Sequence, residues 1–206
     1  MPVENHLAAV ILAAGHSSRM SDFKPLLPLG HSTVIETALS TFLNANIKDI
    51  TVILGHRADD LKPVLDRSNI HLIYNGRYDD GMYSSVISAI SELSLRTAVK
   101  GVFLLPADMP LVRSLTIEKI AIAYSRCGSH IFYPTYLKQR GHPPLILSEL
   151  FPDILAWKGT GGLQSFLEQH EEQACEVEVQ DDGILMDSDT PEDYAEICRV
   201  FGQRDE

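Results

Sequence analysis

The sequence predicts an α/β fold in which helices cover both faces of a mostly parallel sheet. Three observations carry this expectation. Short apolar runs alternate with helix-like stretches roughly every 20–30 residues, the rhythm of βαβ units. The first run, Leu7-Ala-Ala-Val-Ile-Leu-Ala13, is apolar without interruption, as a parallel strand buried on both faces must be. The chain is 206 residues long, 45% hydrophobic and 22% charged, enough to close one substantial core. The architecture expected is a Rossmann-like three-layer sandwich formed by one domain, with no repeat, low-complexity tract or long linker to divide it.

The elements follow in order. The first strand, 7–13, ends at Ala14-Gly15 and a polar loop from His16 to Asp22. Residues 32–46 read as a helix with Ser32 as its N-cap candidate and Glu36 close behind. Ile50–Leu54 is a second strand that stops at Gly55-His56. Ala58–Leu65 reads as helix, Ile70–Tyr74 as strand, Met82–Leu95 as helix and Gly101–Leu105 as a fourth apolar strand. From about residue 130 the alternation loosens. His130–Pro134 and Pro144–Leu147 form shorter strands about a Gln139-Arg-Gly-His-Pro-Pro turn, then helices at 148–156 and 161–170 and a strand at 175–179. The last helix begins after Asp189-Thr-Pro-Glu, where proline suits the first turn and the acids suit the positive helix end.

Charge narrows the function. Seventeen Lys and Arg face 28 Asp and Glu, a formal net charge of −11. Such a surface repels a nucleic-acid backbone, so no nucleic-acid partner is expected. A small anion remains compatible, because clustered cations and backbone N–H groups act locally. The three cysteines form no C-x-x-C, which argues against structural zinc and fits a reducing compartment. No apolar run is long enough for a membrane span or a signal segment, so the expected location is the cytoplasm, with no membrane partner.

In open α/β sheets, ligands bind beyond the carboxyl ends of the strands. The loop Leu12-Ala-Ala-Gly15-His-Ser-Ser-Arg19-Met-Ser-Asp-Phe-Lys24 begins at such an end. Small residues there admit a ligand to the backbone, Gly15 permits a turn closed to other residues, and Arg19 and Lys24 could cradle a polyphosphate. A merely solvated loop with two cations fits the same spacing. The order is not that of a P-loop, and no G-x-G-x-x-G occurs. Asp108, in Pro106-Ala-Asp-Met-Pro110, is placed either to hold Mg²⁺ or to bond turn N–H groups. Asn75 has the donors and acceptor to fix a base edge or ribose. Ser84 and Ser85 could equally cap a helix, as could Asp189. Trp157 reads as packing, and Gly159-Thr-Gly-Gly162 as a plain loop or a second anion turn.

These segments together resemble the MobA-like nucleotidyltransferases, nearest to the branch containing molybdenum cofactor cytidylyltransferase. The likeness runs through Leu12–Gly15, Ser18-Arg19-Met20, Lys24, Leu26–Gly30, Asn75, Gly81–Val86, Pro106–Pro110, Gly141-His142-Pro143 and Asp187–Asp193. It departs at Ser21, where many members carry glycine. The resemblance implies an Mg²⁺-dependent transfer of a nucleoside monophosphate from a nucleoside triphosphate to a phosphorylated small acceptor, a molybdopterin or its metal-loaded form, with release of pyrophosphate. Arg19, Lys24 and Asp108 would be catalytic. Leu12, Ala13, Ala14, Gly15, Asn75, Gly81, Ser84 and Ser85 would surround the nucleotide. Asp108 and Asp189, with Asp187 as a weaker candidate, would hold the metal, and Arg140 and His142 would meet the acceptor.

On this resemblance residues about 1–112 form the nucleotide part and 113–206 the acceptor part. Ala14, glycine in the guanylyl-transferring branch, favours CTP over GTP, because its methyl takes space that a purine needs. Two other readings are a sugar-phosphate or alcohol-phosphate nucleotidyltransferase and a non-catalytic cofactor chaperone. A molybdoenzyme is the protein partner that either cofactor reading implies.

Overall fold

The computed structural model describes residues 6–15, 23–66 and 70–204. Strand β1 (Leu7–Ala13) lies at the centre of the main sheet. The chain continues through a two-stranded ribbon, β2 (Pro28–Leu29) and β3 (Ser32–Thr33), into α1 (Val34–Asn44), β4 (Asp49–Leu54), α2 (Ala58–Leu65), β5 (Ile70–Tyr74), α3 (Met82–Leu93) and β6 (Gly101–Pro106). Then come α4 (Ser114–Tyr124), β7 (Ile131–Tyr136), β8 (Gln139–Arg140), β9 (Leu145–Leu147), α5 (Phe151–Ala156), α6 (Gly162–Gln169), β10 (Ala174–Glu178) and α7 (Pro191–Arg204). The sheet order is β10-β7-β9-β6-β1-β4-β5, with β8 folded back on β7. Pairing is parallel throughout β6-β1-β4-β5 and between β10 and β7; β9 runs antiparallel to both its neighbours.

Alternation along β1 explains the layers. Leu7, Ala9, Ile11 and Ala13 face a core shared with α1, α2 and α4, whereas Ala8 and Val10 face one shared with α3, α5 and α6. A strand covered on both sides cannot tolerate a polar residue on either, hence its unbroken apolar run. Helix α7 packs separately through Ile197 on Leu29, Val34 and Leu111. No helix among the described residues is long and apolar enough to cross a membrane.

Three local expectations are corrected. The cap of α1 is Thr33, not Ser32: Glu36 N donates to Thr33 Oγ1 while Glu36 Oε2 accepts from Thr33 N, a reciprocal capping box. The helix expected over 148–156 opens as a tighter 3₁₀ turn, Ser148–Leu150, before α5. Helix α4 was not expected at all. Its apolar residues do not keep to one face, since Leu115 and Ile122 are exposed while Ile117 and Ile120 are buried. Its start carries no local side-chain cap. Instead Asp181, only 2% exposed, accepts from Arg113 N at 2.9 Å and Thr116 Oγ1 at 2.7 Å. A carboxylate at a helix N-terminus suits the dipole, but here it arrives from far along the chain.

These connections gather the loops at one end of the sheet. Leu12 pairs in register with Pro106, and Ala107 N donates to Leu12 O. The ends of β1 and β6 therefore lie side by side. Ser188 N donates to Asp108 O at 3.0 Å, which brings the 187–189 segment onto the same edge.

Candidate active site

Two clefts meet at that edge. The first, about 360 Å³, is lined by the four residues Leu12 to Gly15 at the end of β1 and by Lys24, Gly81, Ser85 and Asp108. Gly15 does not have the positive φ that the sequence reading assigned to it; a Cβ there would enter open space. The absence of a side chain leaves the cleft wide, which is a different reason for glycine. Ala14 is 4% exposed, its methyl wedged against Gly55. Gly81 does require glycine, with φ +91° just before α3.

The second cleft, about 400 Å³, is lined by Asp108, Asp187, Asp189, Arg140 and His142 among others. Asp108, Met82 and Pro106 belong to both clefts. The expected nucleotide-side and acceptor-side residues thus come together across one shared carboxylate. Gly141 makes this approach feasible: a Cβ on it would lie 2.3 Å from Ile184 O, so only glycine lets the Arg140–His142 segment pack against the 182–185 turn.

Lys24 is the electrostatic centre. Although only 6% exposed, it places Nζ 2.8 Å from Asp189 Oδ1 and 3.7 Å from Asp108 Oδ2. Burial pushes the Asp108 carboxyl above its usual range; Lys24 pulls it down, and Asp187 and Asp189 push it further up. Asp187 is raised by burial and then by Asp189 and Asp193. Three carboxylates around one ammonium leave a surplus of negative charge that a divalent cation would satisfy. Among the described residues no cluster of three or more His, Cys, Asp or Glu is arranged to enclose a metal. Two carboxylates suit an ion that keeps waters and takes the remaining ligands from phosphates, so the donor set fits magnesium.

The competing role of Asp189 as helix cap is taken by others. Thr190 N and Oγ1 donate to Asp193 Oδ2, and Asp193 N donates back to Thr190 Oγ1. That reciprocal pair serves α7 and leaves Asp189 to Lys24.

Other expected residues sit less directly. Asn75 and Ser84 are buried behind the first cleft and do not line it. Arg140 lines the second cleft, yet its guanidinium stacks 4.5 Å over the Tyr133 ring and pairs with Glu171 and Glu176. Those hydrogen bonds, Glu171 first, hold its pKa above the ordinary range. Burial lowers the His142 pKa, against the opposing effects of a Leu104 backbone bond and Asp187. Arg19 lies outside the described residues. Trp157 packs edge-on against Phe166, and Gly161 and Gly162 adopt positive φ where the chain enters α6, Gly162 against Tyr83.

The residues that sequence reasoning missed are Tyr78, Asp79 and Met82. All three line the first cleft. Met82 is 63% exposed, and a large apolar residue on the polar first turn of a helix was the available signal.

Residues 9–174 match the model of the MobA-like NTP transferase domain. The chain belongs to this family. Over 186 residues it is 27% identical to molybdenum cofactor cytidylyltransferase of Escherichia coli K12, covering 90% of this chain and 92% of that one. It is also 26% identical over 206 residues to purine catabolism protein PucB of Bacillus subtilis 168, covering 95% and 98%. A crystal structure of Rv0371C of Mycobacterium tuberculosis H37Rv in complex with manganese superimposes with a TM-score of 0.77 at 22% identity, covering 94% and 98%. The chain is therefore a nucleotidyltransferase of the MobA-like, cytidylyltransferase-related type, on a Rossmann-like sandwich.

Proposed function

We propose that this protein is a molybdenum cofactor cytidylyltransferase: it transfers CMP from CTP to a molybdopterin-type phosphate and releases pyrophosphate. The observation that carries the reading is the meeting of two clefts at Asp108, with Lys24 buried between Asp108 and Asp189. The relative of that name, matched over nine-tenths of both chains, supports the choice of acceptor. Residues 1–112 and 113–206 act as nucleotide and acceptor parts of a single domain, since Asp189 of the second pairs with Lys24 of the first.

The chemistry asks for positioning and charge neutralisation rather than a protein nucleophile. An acceptor phosphate oxygen forms a bond to the α-phosphorus of CTP as the bond from that phosphorus to the bridging oxygen breaks, and pyrophosphate carries the electron pair away. Magnesium held by Asp108 and Asp189, when bound, supplies neutralisation of the triphosphate. Lys24 faces the phosphates and stabilises charge that grows on the leaving group, a role that the family resemblance gives to Arg19 as well. Backbone groups at 12–15 hold the nucleotide, and Ala14 limits the space for its base. His142, whose pKa burial lowers, offers the acceptor a ring nitrogen for hydrogen bonding; Arg140 forms the outer wall.

Purified protein incubated with Mg²⁺, molybdopterin and each of the four nucleoside triphosphates tests this. Pyrophosphate release dependent on both CTP and molybdopterin is expected. Release with a sugar phosphate instead, or binding without release, would contradict it.

A further inference from the structure

The fold brings two cysteines together that lie far apart in the chain. Cys127 closes the turn after α4, its N–H donating to Ala123 O at 2.9 Å. Cys175 lies in β10, opposite Phe132 of β7. His130 fastens the two segments: its N–H donates to Gln173 O at 2.9 Å, and its Nδ1 lies 2.7 Å from Gln173 Oε1. Both thiols are free, half-buried and packed on the core shared with α1, α2 and α4. Cys198 is elsewhere, on α7 with the separate cluster around Ile197.

The two sulfurs are not alike. A side-chain hydrogen bond joins the thiols, and Cys127 Sγ also lies 3.3 Å from Ser129 Oγ. The Ser129 hydroxyl first, then Cys175, then the Ser129 backbone hold the Cys127 thiol below its ordinary pKa. Burial, followed by Cys127, pushes Cys175 up to about 11. Cys127 therefore ionises first and Cys175 keeps its proton. A stabilised thiolate beside a second thiol is the arrangement of an attacking and a resolving cysteine.

The next residue along β10 serves the second cleft. Glu176 accepts from Arg140 Nε at 2.8 Å, and Glu171, just before the strand, accepts from Nη1 at 2.7 Å. Those bonds set the guanidinium over Tyr133 at the cleft wall.

We propose that Cys127 and Cys175 are a modification site: hydrogen peroxide oxidises them to a disulfide, which displaces Arg140 and weakens acceptor binding. The effect on binding rests on the reading of the second cleft as the acceptor site. The Cys127 thiolate attacks one peroxide oxygen; an S–O bond forms, the O–O bond breaks, and the hydroxide released takes the Cys127 proton as water. The Cys175 sulfur then attacks Cys127 Sγ. An S–S bond forms, the S–O bond breaks, and the Cys175 proton leaves with hydroxide as a second water. The sulfurs together lose two electrons and the peroxide oxygens gain them. Closing a bond of about 2.05 Å draws β10 towards the turn after α4, and Glu176 carries Arg140 with it.

The full chain, freed of reductant and treated with hydrogen peroxide, is digested without reduction for peptide mapping. Hydrogen exchange at residues 139–142 is followed in both redox forms. The expected result is a Cys127–Cys175 linkage with Cys198 free, reversed by dithiothreitol, whereas methionine sulfoxide needs its own reductases. Cys175→Ser should stall at a Cys127 sulfenic acid that dimedone captures, and Cys127→Ser should form no linkage. Oxidation should speed exchange at 139–142 and raise the KM for molybdopterin about tenfold, the worth of one hydrogen bond to a charged group. The KM for CTP should not move, and Cys127→Ser should abolish both changes. A linkage through Cys198, or thiols that stay free, overturns the site. A mapped disulfide with unaltered exchange at 139–142, or with an unaltered molybdopterin KM, overturns its effect on the cleft. Absence of turnover in the reduced protein, with linkage and exchange as expected, overturns the acceptor reading and leaves the modification site standing.

Discussion

Lys24 Nζ lies 2.8 Å from Asp189 Oδ1, a pair separated by 165 positions in the chain. It joins the loop after the first strand to the segment before the last helix. A buried ammonium is costly unless paired, so this contact binds the two halves of the site as well as setting its charge. Lys24→Ala should raise the triphosphate concentration needed and lower the rate by about ten- to a hundred-fold, the worth of a hydrogen bond to a charged group, roughly 1.5–3 kcal/mol. Steady-state kinetics with CTP checks this, and Arg19→Ala should act in the same direction.

Asp108→Asn and Asp189→Asn should each reduce turnover far more than nucleotide affinity. Asparagine keeps the size but removes the charge that holds a divalent cation at the reacting phosphate. Turnover at saturating Mg²⁺, set beside a separate measurement of CTP binding, separates the two effects. A variant with normal turnover would remove that carboxylate from the site.

The pH dependence follows from direction alone. Burial, aided by Asp187 and Asp189, raises Asp108, while Lys24 lowers it. Activity that needs the ionised carboxylate should therefore fall, on acidification, at a higher pH than an ordinary aspartate would give. Lys24→Met removes the lowering charge and should move that acid limb upward; Asp187→Asn removes a raising one and should move it downward. For stability the sign is the usual one for raised carboxyls: strain present at neutral pH is relieved as pH falls through the raised folded value. A profile of kcat/KM against pH for the three proteins is the check.

Asp181→Ala should destabilise the fold by more than about 2 kcal/mol. It would orphan Arg113 N, Thr116 Oγ1 and Gly183 N together. Gly141→Ala should cost about 1–3 kcal/mol, because the added methyl collides with Ile184 O. Urea unfolding reads both, and neither substitution removes a group from the nucleotide cleft.

What the sequence made legible divides along physical lines. The buried strands β1, β4 and β6 were readable because a two-sided burial leaves a continuous apolar run. Lys24, Asp108 and Asp189 were readable as a set through the resemblance to the MobA-like family. Helix α4 was not, because its N-terminal partner, Asp181, lies more than 60 positions away. The antiparallel insertion of β9 between β6 and β7 is decided by packing, which three residues cannot announce. Asn75 was expected to meet the nucleotide, but its amide hydrogens go to Ser84 Oγ and Ser85 Oγ, a local pairing that the sequence does not announce. The charges that occupy Arg140, Glu171 and Glu176, were also invisible, since no spacing rule links them.

The most direct measurement follows the label. CTP radiolabelled at the α-phosphate is incubated with Mg²⁺, molybdopterin and protein, and the products are separated. The account predicts that the label appears in the molybdopterin product in equal amount to the pyrophosphate released, and that Asp108→Asn abolishes both. Label recovered only as CMP or unreacted CTP, with the acceptor unmodified, would contradict it.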